Sequence, residues 1–252
     1  MGWALYYIFL KPLSLLPLWV LYRLSDLMAP LVYHVVRYRR KVTRANLLRS
    51  FPDQSLKEIK RIERQYYRHL CDLVVEAIHG LSASPFDVMK RYRIENPEVL
   101  HRYYEQGRSV VLMSAHYNNW EYMVLGINFL LLHHGIGVGK PLNNRGIGQY
   151  IDRARIRYGD EVVDQYTVRD TMSYYYLHNV PCAYMMLSDQ SPSNPHRCYW
   201  ATFLNQDTGF LYGAEHFARK YDMPVFFYEV RKAKRGRYHV VFTEMCPEPN
   251  QT

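Results

Sequence analysis

At 252 residues the chain is long enough to bury a substantial core in one or two domains. Its mean hydropathy of −0.32 excludes a polytopic membrane protein. Four scattered cysteines (Cys71, Cys182, Cys198, Cys246) with no CxxC pair argue against a disulfide framework or zinc knuckle and suit a reduced compartment. The net charge of +9 is uneven, since residues 1–64 carry twelve Lys/Arg against four Asp/Glu. A basic surface of this kind meets either nucleic acid or an anionic membrane.

Residues 3–36 decide between those two. They are strongly apolar and rich in aromatics, with Lys11, Arg23 and Asp26 interrupting. A helix crossing a bilayer needs about 20 predominantly apolar residues. The charge-free runs here are 1–10, 12–22 and 27–36, so two membrane readings stay open beside the plainer one of a buried helix pair. The segment is one imperfect span, or a set of helices lying in the interface with charged ends reaching outward. The Arg37–Arg44 cluster follows directly, where basic residues attract anionic lipid. No nucleic-acid module follows it. We expect residues 1–40 to be a membrane anchor with a basic flank, and 41–252 to be the working domain.

Ser55-Leu56-Lys57-Glu58 is a capping box that opens a helix running to about Ile78, with Gly80 as its stop. From about residue 94 strand and helix alternate. Strands are predicted at 109–115, 136–140, 182–187 and 225–231, helices at 121–132, 145–158 and 209–221, and a hairpin through Gly236 into 238–244. Such alternation predicts an α/β three-layer sandwich, a mostly parallel sheet flanked by helices behind the apolar segment.

The chemistry concentrates in Ser114-Ala115-His116-Tyr117-Asn118-Asn119-Trp120-Glu121. His116 and Glu121 share no face of a regular strand or helix, so they meet only across a turn. Asn118 and Asn119 supply that turn as helix N-cap residues, which puts His116 at the end of a strand, where α/β sheets bind ligands. A neutral imidazole can take a proton from a hydroxyl attacking a thioester. A carboxylate on its other nitrogen, here expected to be Glu121, fixes the tautomer and stabilises the imidazolium. A bare HxxxxE pattern is so short that a surface histidine with an unrelated glutamate explains it better. No metal partner stands at i+3 or i+4 from His116, and Gly135–Gly139 lacks the setting of a dinucleotide loop.

Further matches make the pattern more specific. Asn46 through Pro52 is similar to an N-L-x-x-x-F-P segment, His116–Glu121 to an H-x4-D/E motif, and Arg157-Tyr158-Gly159 to an R-x-G step. Asp189-Gln190 is similar to a D-Q pair at a strand end, and Phe203–Ala218 to an F-F-G-x-x-A-x-x-x-x-G-x-x-x-L-A block keeping Phe203, Gly213 and Ala218. Together these resemble the late lipid A acyltransferases of the lysophospholipid acyltransferase superfamily. Leu204, Asn205 and Thr208 depart from the block, and the sequence ends at 249–252 without a W-x-H-x-R-W-K segment, as in a shortened or divergent member.

The resemblance implies an inner-membrane acyltransferase of lipopolysaccharide biosynthesis, with its catalytic domain on the cytoplasmic side and His116 and Glu121 catalytic. It places Asn119, Arg157, Asp189, Gln190 and Gly213 against substrate. Arg157 would pair with a phosphate or carboxylate, and Asp189-Gln190 would hold the acceptor or steer Arg157. It implies no resident cofactor or metal: the donor is an acyl carrier protein or coenzyme A thioester. The acceptor is a hydroxyl of a lipid A-type glycolipid, with an aminolipid or lysophospholipid as alternatives. An esterase or thioesterase using water is a further alternative, although no G-x-S-x-G elbow occurs.

Overall fold

The computed structural model describes residues 2–140, 145–192, 194–196 and 198–251. Its centre is a seven-stranded sheet in the order β1-β9-β8-β2-β5-β3-β4. The strands are β1 (Tyr92–Ile94), β2 (Val110–Ser114), β3 (His134–Gly139), β4 (Glu161–Asp164), β5 (Cys182–Leu187), β8 (Val225–Lys234) and β9 (Arg237–Cys246). Every pairing is parallel except the β8–β9 hairpin. Alternation along β2 feeds two cores: Val110 and Leu112 face one, Val111 the other. The Trp120–Leu130 helix covers the first face, and helices Val168–Leu177 and Gly213–Tyr221 cover the second. The expected mixed α/β layering with a mostly parallel sheet is what the chain forms.

Some elements differ from expectation. The helix expected at 209–221 starts at Gly213, because β6 (Tyr199–Phe203) and β7 (Gln206–Phe210) make a separate antiparallel hairpin. Its two-residue turn holds Leu204 and Asn205 at φ 49° and 59°. A hairpin turn of this kind holds both central residues in the left-handed region, which asparagine tolerates well, so Leu204 is the unusual member. Strands β1 and β4 and helix Val168–Leu177 are short or of mixed polarity, which left them without a periodic signature.

The N-terminal segment is a bent pair of helical stretches, Gly2–Ser14 and Leu18–Val36, meeting at 115°. Pro17 sits at the corner; it has no N–H to offer and forces Leu16 out of the helical region. Among the described residues no single helix is long and apolar enough to cross a membrane, although the bent pair together reaches that length and composition. Leu18, Leu21, Ser25 and Ala29 form the stripe packed on the body, with Leu18 and Leu21 against Val75. The opposite stripe leaves Trp19 at 69 % and Leu27 at 71 % exposure, and Trp3, Ile8, Phe9 and Val35 are open as well. This apolar surface is what a lipid or protein partner would cover.

The Leu56–Gly80 helix receives that pair. Ser55 caps it by accepting the Glu58 N–H at 3.2 Å, as the capping box predicts. Its inward stripe includes three buried carboxylates: Glu63, Asp72 and Glu76. Arg44, Arg40 and Tyr33 meet Glu63; Ser25 and Arg235 meet Asp72. Buried carboxylates persist where they are paired and hydrogen-bonded. The basic cluster is therefore divided. Arg40 and Arg44 point inward as partners of Glu63, while Arg37, Arg39 and Lys41 stay on the surface.

Candidate active site

Strands β2 and β5 are parallel neighbours in the register Ser114↔Leu187. Two residues beyond each strand end, His116 and Asp189 therefore stand at the same level. The His116 Nδ1 lies 2.7 Å from Asp189 Oδ1, and the His116 backbone N–H donates to Asp189 Oδ2 at 3.0 Å. Burial pushes the Asp189 carboxyl up, but the hydrogen bonds and charge of His116 outweigh it and hold it below the usual range. On the far side of the ring the Gln190 amide approaches Nε2 at 3.3 Å. A ring donating from Nδ1 to a carboxylate carries its lone pair on Nε2, the atom that would accept a proton. Trp120 meets the imidazole edge-on, with ring centroids 5.2 Å apart.

The expected pairing of Glu121 with the His116 ring is not what the structure holds: the ring is on Asp189 and Glu121 is on Arg155. Both its oxygens accept from Arg155, at 2.7 Å and 3.0 Å, and Arg155 also reaches Asp152 at 3.3 Å. Burial works against the guanidinium charge, but Glu121 and Asp152 more than offset it and raise the Arg155 pKa. The reason lies in the turn. Tyr117 N–H closes onto Ala115 O at 2.7 Å, Asn118 takes φ 53°, and the helix starts at Trp120. Glu121 thus leaves the first helical turn toward the Arg145–Arg155 helix, while His116 stays over the strand end.

A cleft of about 680 Å³ opens outside the carboxyl ends of β2, β3 and β5, as parallel sheets lead one to expect. His116, Trp120, Glu121, Arg155 and Gln190 line it, with Gly213 on its floor. A second, mostly apolar cavity of about 330 Å³ lies behind, walled by Leu10, Val74, Ile78, Leu125 and Ile151. Glu121 and Arg155 line both spaces, so their ion pair stands at the boundary. Leu10 brings the N-terminal segment to the second cavity, next to the site.

Of the expected substrate contacts, Asp189 and Gln190 are on His116 and Gly213 is on the cleft. Asn119 is not on the cleft, and Arg157 lines the second, apolar cavity instead of the cleft. Asn119 is buried, its Oδ1 capping the helix by accepting Tyr122 N–H at 3.0 Å and its amide donating to Glu76 at 2.7 Å. Arg157 donates to the carbonyls of Gly80 and Ala83 at 2.9 Å and 2.5 Å and lies over the Tyr158 ring, closing the end of the Leu56–Gly80 helix. Among the described residues the arginine that lines the cleft is Arg155, two positions earlier. Arg157→Ala is expected to cost about 1–3 kcal/mol by leaving these carbonyls unpaired. Turnover of the folded variant should stay near wild type; a large rise in KM without a change in melting temperature would return Arg157 to substrate binding.

Among the described residues no group of three or more His, Cys, Asp or Glu is arranged to hold a metal ion. What the arrangement offers is an oriented imidazole beside a charged pair, with an apolar chamber behind.

No curated protein matches the chain. A family model described as "Bacterial lipid A biosynthesis acyltransferase" matches residues 1–250. The oriented histidine, the cleft at the strand ends and the apolar chamber accord with acyl transfer to a lipid, and the chain belongs to the bacterial lipid A biosynthesis acyltransferase family.

Proposed function

We propose that the chain moves a fatty acyl group from an acyl thioester to a hydroxyl of a membrane glycolipid of the lipid A-precursor type, with His116 Nε2 as general base. The observation that carries this reading is the His116–Asp189 pair at 2.7 Å, with the opposite ring nitrogen met by the Gln190 amide on the cleft wall. The acceptor hydroxyl displaces that amide, gives its proton to Nε2 and attacks the thioester carbonyl carbon. The tetrahedral oxyanion collapses, the C–S bond breaks, and the thiolate takes the proton back from the imidazolium. Ester and free thiol leave. Asp189 keeps the ring in the productive tautomer and stabilises its charged form.

Glu121 holds Arg155 on the cleft wall, where a guanidinium suits the oxyanion or a substrate phosphate. The apolar chamber behind them takes the acyl chain. The donor is an acyl carrier protein or coenzyme A thioester, and the reaction needs no resident cofactor. Lipid mass spectrometry of cells with and without the gene tests the acceptor. A product lacking one ester-linked acyl chain in the deletion is the expected result; free fatty acid as the sole product in vitro would favour a thioesterase.

The acceptor's hydrocarbon places the work at a bilayer, and the bent N-terminal pair is the means of attachment we infer, lying in the cytoplasmic leaflet interface of the inner membrane. Its open stripe of Trp19, Leu27 and Val35 supports this, with Arg37, Arg39 and Lys41 alongside to meet anionic headgroups. Trp19→Gln/Leu27→Gln/Val35→Gln should lower sedimentation with anionic vesicles by tenfold or more, since each large apolar side chain contributes about 1.5–3 kcal/mol when buried. Raising salt should weaken wild-type binding as the Debye length falls from about 8 Å at physiological strength to about 3 Å at 1 M. Binding indifferent to the substitutions, to salt and to lipid charge would sink the attachment reading.

A further inference from the structure

Glu76 does not line the active cleft and belongs to no expected motif, yet it joins four parts of the molecule. It is fully buried on the inward stripe of the Leu56–Gly80 helix. Its Oε1 accepts from Tyr22 of the N-terminal pair at 2.7 Å; its Oε2 accepts from Tyr238 of β9 and from the Asn119 amide, each at 2.7 Å. Burial pushes its carboxyl up and the three donors pull the other way. Gly236, in the β8–β9 turn, closes over Tyr22: a Cβ there would come within 2.1 Å of the tyrosine oxygen. The contact therefore leaves no room for a side chain at 236.

The arm that matters for chemistry is Asn119. Its oxygen fixes the first turn of the helix that carries Trp120 and Glu121, and its nitrogen is held by Glu76. Asn118, one residue earlier, is pinned by its amide to the Val230 carbonyl at 2.6 Å in a left-handed conformation. Two of the three residues between His116 and the helix, Asn118 and Asn119, are thus clamped by their side chains. Trp120, the first residue past the clamp, is the one that packs on the His116 ring.

We propose that Glu76 is a positioning residue for acyl transfer: through Asn119 it sets the turn that presents His116 and Trp120, and through Tyr22 it ties that turn to the N-terminal helices. The proposal rests on His116 being the general base. It differs from a merely structural role in what it moves. A buried hub that only stabilises the fold would change the melting temperature and leave the turnover of folded protein alone. A residue that sets the geometry of the turn changes turnover at constant stability, because small misplacements of reacting groups carry large rate penalties.

The test uses the full chain in detergent micelles, with lauroyl-coenzyme A and a lipid A-type precursor as probe substrates, well below each variant's melting temperature. Asn119→Ser keeps the helix cap, as serine is a good N-cap, but severs the link to Glu76. It should lower kcat about tenfold or more with KM within about twofold, the pattern of an interaction used in the transition state. Glu76→Leu should do the same. The double variant should be no slower than the slower single one, since the two act as one unit. Glu76→Gln, which keeps the shape and can still bond all three partners, should restore kcat to within about threefold of wild type. Tyr22→Phe should lower kcat in the same direction by about threefold, as loss of one of several shared bonds would.

If Glu76→Leu does not fold, Asn119→Ser decides. Wild-type kcat in folded Asn119→Ser, or a Glu76→Gln no better than Glu76→Leu, overturns the proposal. Wild-type kcat in Tyr22→Phe alongside a slow Asn119→Ser overturns the N-terminal tie. His116→Ala run in parallel separates the two levels. An active His116→Ala refutes the base itself, whereas an inactive His116→Ala beside a fully active Asn119→Ser refutes Glu76 alone.

Discussion

Replacing His116 by alanine is expected to lower turnover by about 10²–10⁴-fold, the usual loss when a positioned general base is removed. The fold should not suffer. The imidazole side chain is 32 % exposed and its partner Asp189 39 %, so the vacated space fills with water and no packed cavity forms. Asp189 keeps the backbone N–H of residue 116 as a donor after the ring is gone. Circular dichroism and a melting curve next to the acyl-transfer assay separate the two effects. A folded His116→Ala protein with activity within about threefold of wild type would remove the histidine from the mechanism, being far below the expected loss.

A comparable loss, about 10²–10⁴-fold, is expected for Asp189→Asn, because the amide reverses the tautomer that general-base catalysis needs. The asparagine oxygen would stay on the His116 backbone N–H, leaving its NH₂ to face Nδ1. Nδ1 must then accept, the ring proton moves to Nε2, and the nitrogen beside Gln190 has no lone pair to offer. Glu121→Gln predicts a different signature. It removes the charge opposite Arg155 and leaves the guanidinium with Asp152 as its remaining carboxylate, a loss of about 1–3 kcal/mol in stability. Histidine ¹⁵N shifts read the tautomer directly. If Glu121→Gln reversed the tautomer and Asp189→Asn did not, Glu121 and not Asp189 would be the carboxylate that orients His116.

How far these features were legible from the residues differs from one to the next. The alternating apolar runs at 109–115, 136–140, 182–187 and 225–231 identified the central strands, since a strand buried on both faces reads as a continuous apolar stretch. His116 was legible because its turn residues are Asn118 and Asn119. Its carboxylate was not. Glu121 is close in sequence, whereas Asp189 becomes a partner only once β2 and β5 are known to be neighbours in register. Long-range pairing of this kind leaves no mark in local spacing. The same limit explains Arg155 and Arg157: both lie near the end of one helical run, and which of them meets the cleft depends on where that run gives way to a tighter turn at Ile156–Tyr158. The β6–β7 hairpin went unseen because its turn is Leu-Asn, not the Asn-Gly or Asp-Gly that advertises such loops.

The clasp made by the last two sheet strands has a consequence for how the chain is born. Glu76 finds Tyr238, and Asp72 finds Arg235, 162 and 163 residues further along. Until β8 and β9 have been synthesised, the long helix carries two carboxylates whose distal partners do not yet exist. The N-terminal helices meanwhile present their apolar stripe from the start. Contacts so distant in sequence form late and slowly, and the waiting species is prone to stick to its own kind. A lipid surface that took up the early stripe would shelter the unfinished polypeptide from its neighbours; attachment and assembly would then be parts of one event, with the bilayer a nursery before it is a source of substrate.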